Sequence, residues 1–132
     1  MDANSSTKIE VGANIIPDKF KALQFNEAEL YLHVESKDHN THWIECAVEV
    51  QFPMSLAPDK RIPIGRTLIG IFHEGVKKEK RVKIFTGSDA LPSTYKIKLT
   101  FYIYDQDGAI EDRKEILKEV ECMSVDLNAK VL

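Results

Sequence analysis

The chain has 132 residues, of which 43% are apolar and 30% charged, and its formal net charge is −3. This length suits one domain, and the apolar fraction excludes wholesale disorder. No run approaches the roughly 18 consecutive apolar residues of a membrane-spanning helix, and the polar start around Asp2 lacks the pattern of a secretory signal, so we expect a cytoplasmic protein without a membrane partner.

The first half of the chain contains two clear strand patterns, in which apolar and polar side chains alternate with period 2. A weaker strand is predicted over residues 7–15, where Ile9 and Val11 have the same spacing. Polar loops and prolines separate these segments, which is typical of turns between strands. The apolar sets of the two clear strands are Ala28, Leu30, Leu32 and Val34, and Ile44, Cys46, Val48, Val50 and Phe52.

The second half of the chain continues the same design. Residues 95–104 alternate almost perfectly, and residues 66–72 and 79–86 predict two further strands. The segment 113–124 also fits a helix face, but we favour a strand because a tight turn at Asp107-Gly108 precedes it, which is a hairpin signal.

About seven strands in some 120 residues predict an all-β fold, since sheets with one apolar face must bury those faces against each other. We therefore expect an immunoglobulin-like antiparallel β-sandwich over residues 7–126. Residues 1–6 are expected to form a flexible N-terminus and residues 127–132 a C-terminal tail.

The residues from Ile64 to Cys122 resemble a group of prokaryotic immunoglobulin-like modules, the CARDB-like and related domains of bacterial and archaeal proteins. The resemblance rests on a His-Glu-Gly turn after an apolar strand, a Leu-Pro-Ser-Thr-Tyr approach to the strand at Tyr95, and the aspartate-glycine turn. In this chain Ser93 and Thr94 replace the glycine that such modules place before the tyrosine. The resemblance implies the sandwich fold, which hosts many unrelated roles.

Two details follow from placing the residues on such a sandwich. Tyr95 is either a tyrosine corner, with its hydroxyl bonded to nearby backbone, or only a core aromatic. Cys46 and Cys122 fall on the third and the last predicted strands, which does not suggest an immunoglobulin-type disulfide, and we expect two buried free thiols in a reducing compartment.

The sequence offers little for catalysis or for metal binding. An EF-hand is excluded at the aspartate-glycine turn, because Ile103 and Lys114 occupy the positions where calcium needs carboxylates, although a looser calcium site is the alternative to a plain turn. No nucleophile motif or phosphate-binding loop occurs. We therefore expect no enzyme activity, no cofactor and no metal, and ordinary exposed positions for the four histidines, which are His33, His39, His42 and His73.

Charge is unevenly distributed along the second half of the chain. Residues 77–98 carry seven basic and two acidic side chains, whereas residues 105–121 carry seven acidic and three basic ones. Neighbouring strands with these charges would form cross-strand ion pairs. The alternative is a basic face that binds single-stranded nucleic acid within residues 77–104. The candidate residues for that binding are Lys80, Arg81, Lys83, Lys96 and Lys98.

Several aromatic residues have the parity opposite to the buried stripes, so they are expected on the outer faces of the sheets. Aromatic patches rimmed by charge are typical of protein-binding surfaces. The predicted function is therefore a non-enzymatic interaction or assembly module that binds a protein partner, or a second copy, through a sheet face or an edge strand. The candidate residues are Tyr31, Trp43, Phe85, Tyr102 and Tyr104.

Overall fold

Residues 7–124 are described by a computed structural model of the chain. Within that range the protein has eight strands and no helix. The expected N-terminus and C-terminal tail lie outside the described residues and stay predictions. The strands are β1 (Ile9–Ile16), β2 (Lys19–Lys21), β3 (Asn26–Ser36), β4 (His42–Val50), β5 (Ile64–Phe72), β6 (Lys77–Thr86), β7 (Ser93–Tyr104) and β8 (Ile110–Met123).

The strands form two sheets that pack face to face. One sheet has three strands in the order β1-β3-β6, and the other has five in the order β2-β8-β7-β4-β5. All neighbours are antiparallel except β2, which runs parallel to β8. The predicted all-β sandwich is confirmed, and so is the strand over 113–124. The three-residue strand β2 was not predicted, because three residues are too few to show alternation.

The core lies between the inner faces of the two sheets, where the alternating apolar sets meet. The three-stranded sheet contributes Leu30 and Leu32, and the five-stranded sheet contributes Phe101 and Leu99, all fully buried. Cys46 and Cys122 are both free and buried, and burial raises the pKa of the Cys46 thiol to about 12. At that pKa the Cys46 sulfur stays protonated and packs as a small apolar group.

Tyr95 combines the two roles that the sequence left open. Its ring is buried in the core, and its hydroxyl donates a hydrogen bond of 2.5 Å to the backbone carbonyl of Leu91. The tyrosine therefore ties the loop before β7 to the sandwich, in the manner of a tyrosine corner.

Replacing Tyr95 with phenylalanine is expected to lower the free energy of unfolding by about 1 kcal/mol, because the Leu91 carbonyl loses its donor while the ring still fills its space. Urea denaturation measures the change. Tyr102→Phe, which removes a hydroxyl from a ring on the outer face of the same strand, is the control and is expected to have little effect. Equal stability of Tyr95→Phe and the wild type would contradict the role of the hydroxyl.

Candidate protein-interaction surface

The outer face of the five-stranded sheet gathers aromatic side chains from neighbouring strands. Trp43 on β4 lies directly opposite Tyr104 on β7, and Tyr102 lies opposite Glu45 in the same pair of strands. Trp43 is 50% exposed and is the chain's only tryptophan. We call this surface the aromatic face. Its members are Trp43, Glu45, Arg66, Leu68, Ile71, Tyr102, Tyr104 and Arg113.

Polar contacts hold the centre of the aromatic face in place. The Glu45 carboxylate Oε1 accepts hydrogen bonds from the Tyr104 hydroxyl at 2.7 Å and from the Arg66 guanidinium at 2.9 Å. The bond to Glu45 also raises the pKa of Tyr104 above its ordinary value. Tyr104 therefore stays a neutral donor at physiological pH, and its ring has a fixed orientation.

The ring of Tyr102 lies between two guanidinium groups. Arg66 reaches across β4 to within 4.7 Å of the ring centroid, and Arg113 of β8 lies 5.5 Å from it. Cation–π contacts of this kind reduce the freedom of both arginines. Because the side chains are already ordered, binding at this face needs little further loss of conformational entropy.

The apolar part of the aromatic face follows β5, which is an edge strand. The bulge between Leu68 and Gly70 inserts Ile69 as an extra residue, so that Leu68 and Ile71 both point outward although they are three positions apart. Their exposed fractions are 54% and 45%, and Ile64 at the start of the strand is 55% exposed. Three large apolar side chains therefore stand in solvent along one edge, and Ile71 lies directly opposite Trp43.

The free edges of the two sheets differ in how well they could accept another strand. β6 carries Lys77, Lys78 and Lys80 at one end, and Ser55 pairs with Phe85 at the other through two backbone hydrogen bonds of 2.8 Å. β2 is only three residues long. By contrast, β5 has nine residues with one charge, Arg66, and pairs only with β4 within residues 7–124. The fourth edge, β1, has eight residues but exposes one large apolar side chain, Ile16, whereas β5 exposes three. Charge and covering loops discourage strand addition at β6, so β5 is the most receptive of the four edges.

The structure brings three of the five aromatic candidates together and separates the other two. Trp43, Tyr102 and Tyr104 share the aromatic face, whereas Tyr31 and Phe85 belong to the three-stranded sheet on the opposite side of the sandwich. Tyr31 donates to Glu29 at 2.9 Å and stacks under Arg81 at 5.2 Å. Parity along a strand shows that a residue faces outward, but it does not show on which sheet.

The basic candidates are also divided between the sheets. Lys80, Arg81 and Lys83 lie on β6, in the three-stranded sheet, and Lys96 and Lys98 lie on β7, in the five-stranded one. No single basic groove results from them. The expected ion pairing is also different, because β6 pairs with β3 and its Lys83 contacts Glu27 at 3.3 Å. Only Lys96 faces an acidic residue of β8, which is Glu119.

A groove of about 520 Å³ on the three-stranded sheet is lined by side chains of both charges, among which His33 and Glu79 contact each other. His33 lies 3.2 Å from Glu79, and Glu10 lies 3.2 Å from Lys37 beside the groove. Its mixed charges do not select a ligand of one sign.

The expectation for the histidines was wrong for His42, which is fully buried. Its Nε2 lies 3.5 Å from Asp38 and its Nδ1 lies 3.3 Å from Glu111, so both edges of the ring face carboxylates. His42 shares the inward parity of Ile44 and Cys46, and that parity was the signal in the sequence. In the part of the chain that the structure describes, no three His, Cys, Asp or Glu side chains converge to hold a metal ion.

The aspartate-glycine turn is stabilised by its own side chain. Asp105 Oδ1 accepts hydrogen bonds from the backbone amides of Asp107 and Ala109, at 2.9 and 3.0 Å. The carboxylate therefore serves the hairpin turn.

Comparison with known proteins supports the fold and goes no further. No family model and no curated protein matches the chain. Spo0M, a sporulation control protein from Bacillus subtilis, has a similar structure, with a TM-score of 0.51 and 11% identity over 89% of this chain and 50% of that one. The chain thus spans half the length of that neighbour.

A second similar structure is the ASH/PapD-like domain of human CEP192, with a TM-score of 0.47 and 11% identity over 96% of this chain and 92% of that domain. Between residues 7 and 124 no helix is long and apolar enough to cross a bilayer. The sequence resemblance is confirmed at the level of an immunoglobulin-like β-sandwich, and at that level the comparisons place the chain.

Proposed function

We propose that the protein is a non-enzymatic interaction module that binds an extended segment of a partner protein at the free edge of β5. The observation that supports this most directly is the edge itself, where a nine-residue strand with unpaired backbone groups carries exposed Ile64, Leu68 and Ile71. Ile71 lies opposite Trp43. In this mode the added strand gains backbone hydrogen bonds from β5 and side-chain contacts from the aromatic face.

The composition of the aromatic face suits this role. Tryptophan, tyrosine and arginine dominate the residues whose loss weakens protein complexes most, and the face presents Trp43, Tyr102 and Arg66 together. The hydrogen bonds to Glu45 order the side chains of Arg66 on β5 and Tyr104 on β7 before a partner binds. Apolar contacts from β5 and ordered aromatics from β4 and β7 would then act on the same bound segment.

Replacing Leu68 with lysine is expected to weaken retention of the natural partner by about tenfold or more, because a charge then replaces an apolar contact at the binding edge. Trp43→Ala and Tyr102→Ala are expected to weaken it too. The melting temperature should change little in all three, since these side chains are partly exposed. Quantitative mass spectrometry of proteins retained from a lysate of the source organism measures the effect.

The matched control is Leu117→Lys, because Leu117 is 58% exposed on the outer face of the same sheet but lies on β8, away from β5. Retention should be unchanged in this variant. Retention that survives Leu68→Lys, or that Leu117→Lys reduces equally, would contradict binding at β5.

A further inference from the structure

Building on the proposed function, we propose that the segment bound at β5 is a strand in which apolar residues alternate with aspartate or glutamate, and that its carboxylates pair with Lys78 and Lys80. The outer side of the added strand would contact the apolar part of the aromatic face. Its inner side would face the two lysines of β6.

The two lysines point toward the opening between the sheets. They have the same parity as Val82 and Ile84, whose side chains face the core, and their cross-strand partners on β3 are Val34 and Leu32. Both lysines are nevertheless exposed, so at the start of β6 these long side chains extend out from between the sheets. Inward-facing lysines on an edge strand also discourage pairing at β6 itself.

Lys78 reaches the edge of β5 directly. Its ammonium lies 5.7 Å from the centroid of the Phe72 ring. Its side chain also covers Gly70, since a Cβ built on Gly70 would come within 2.8 Å of the Lys78 Nζ. Gly70, with a φ of +146°, leaves this space free. A positive charge therefore stands beside the backbone at which the added strand would pair.

Among residues 7–124 these lysines have no carboxylate within ion-pair distance, although Glu10, Glu35 and Glu79 line the same groove as Lys77 and Lys78. The ion pairs within 4.0 Å among residues 7–124 include Lys83 with Glu27, but none of them involves Lys77, Lys78 or Lys80. An ammonium group that holds no carboxylate of its own is available to the carboxylate of a ligand, and that of Lys78 stands beside β5.

Because side chains alternate along a strand, the two surfaces predict a sequence pattern for the bound segment. Successive side chains of an added strand point to opposite faces of the sheet. One set would lie beside Ile64, Leu68 and Ile71, and the other beside Lys78 and Lys80. The ligand with the best complementarity is therefore an extended segment with apolar residues at every second position and acids between them.

A second copy of the chain fits this edge poorly. β5 contains no acidic residue, and its one charge is Arg66. Antiparallel pairing of two β5 strands would also bring the lysines of both β6 strands to the same side, where like charges repel. The charges at the edge therefore favour a different partner over self-association.

The test uses short synthetic peptides with a fluorescent label, in which valine alternates with glutamate, glutamine or lysine. Binding is followed by anisotropy and by the emission of Trp43. We expect the glutamate peptide to bind about five- to tenfold more tightly than the glutamine peptide, because two ammonium groups gain carboxylate partners. The lysine peptide, and a peptide with the same valines and glutamates in two blocks, should bind weakly.

Variants assign the effect to the two lysines. The double variant Lys78→Gln/Lys80→Gln should bind the glutamate and glutamine peptides equally, and high salt should have the same effect on the wild type. The matched control is Lys19→Gln/Lys21→Gln, which removes two exposed charges from β2 at the opposite edge of the sheet and should keep the preference.

The outcomes separate this inference from the proposed function. Equal affinity of the wild type for the glutamate and glutamine peptides, with both affinities lost in Leu68→Lys, would overturn the acidic preference and leave strand addition at β5 intact. The same conclusion would follow if no peptide bound to the wild type and Leu68→Lys still lost the natural partner. Light scattering that shows a dimer abolished by Leu68→Lys would identify a second copy as the occupant and overturn the inference. If partner retention also survives Leu68→Lys, both proposals fail.

Discussion

Replacing Phe72 with alanine is expected to lower the free energy of unfolding by about 3–5 kcal/mol, the usual loss for a large aromatic side chain removed from a core. Phe72 is fully buried at the end of β5, directly opposite the buried His42 of β4. Lys78 covers the outer side of its ring. The cavity would therefore open where the core meets the edge of the sandwich. Urea denaturation measures the change.

The neighbouring residue provides the control. Ile71 lies one position earlier but on the outer face, 45% exposed, and Ile71→Ala is expected to change the free energy of unfolding by only about 0.5 kcal/mol. If Phe72→Ala does not fold, Phe72→Leu gives a smaller loss that remains measurable. Equal losses, or a larger loss for Ile71→Ala, would contradict the bulge at Ile69, which turns Ile71 outward and Phe72 into the core.

The same pair of variants separates folding from binding. Phe72 does not belong to the aromatic face, yet its loss should weaken binding because it anchors the edge strand to the core. Ile71→Ala should weaken binding while the stability stays nearly constant. A residue of the binding surface and a residue that supports it thus differ in which measurement they change.

Alternation in the sequence predicted the fold and the faces of the long strands. In β3, β4 and β7 every second residue is buried as expected, because a strand with one buried face requires that period. The expectation was wrong for Phe52, which follows the last residue of β4 and is 64% exposed, because the alternation ends where the strand ends at Val50. The turn at Asp107-Gly108 was predicted from local chemistry, since it depends on residues that are neighbours in the chain. Local rules therefore account for which elements form and which side of each faces the core.

Pairing between distant strands could not be predicted in the same way. The separation of Tyr31 and Phe85 from Trp43 depends on which strand joins which sheet, and alternation is identical in both sheets. The bulge at Ile69 moves Ile71 to the outer face through the register with β4, which the sequence of β5 alone does not specify. The sequence therefore predicted which kinds of residue form the candidate surface, but only in part where on the sandwich they lie.

A buried hydrogen bond joins Thr7, just before β1, to Asp112 on β8. The Asp112 carboxylate accepts hydrogen bonds from the Thr7 hydroxyl at 2.6 Å and from the backbone amide of Arg113 at 2.8 Å. Burial raises the pKa of Asp112, but the hydrogen bonds from Thr7 and Arg113 and the charge of Lys114 lower it by more, so the pKa is below its ordinary value. The folded protein therefore favours the ionised form of Asp112.

Replacing Asp112 with asparagine is expected to lower the free energy of unfolding by about 1.5–3 kcal/mol at neutral pH, because bonds to a charged acceptor are lost. Since the pKa is lower in the folded state, the ionised carboxylate stabilises the fold above the unfolded pKa of about 3.9, and this stability is lost as the pH falls toward the folded pKa. Wild-type stability should therefore fall below about pH 5. The fall should be smaller in Asp112→Asn, and Asp38, whose pKa is also lowered, should account for part of what remains.

Urea denaturation across this pH range measures both curves, with Asp107→Asn in the exposed turn as the control that should follow the wild type. Parallel curves for Asp112→Asn and the wild type would mean that the carboxylate is not held in its charged form, and that Thr7 is anchored to β8 by other contacts.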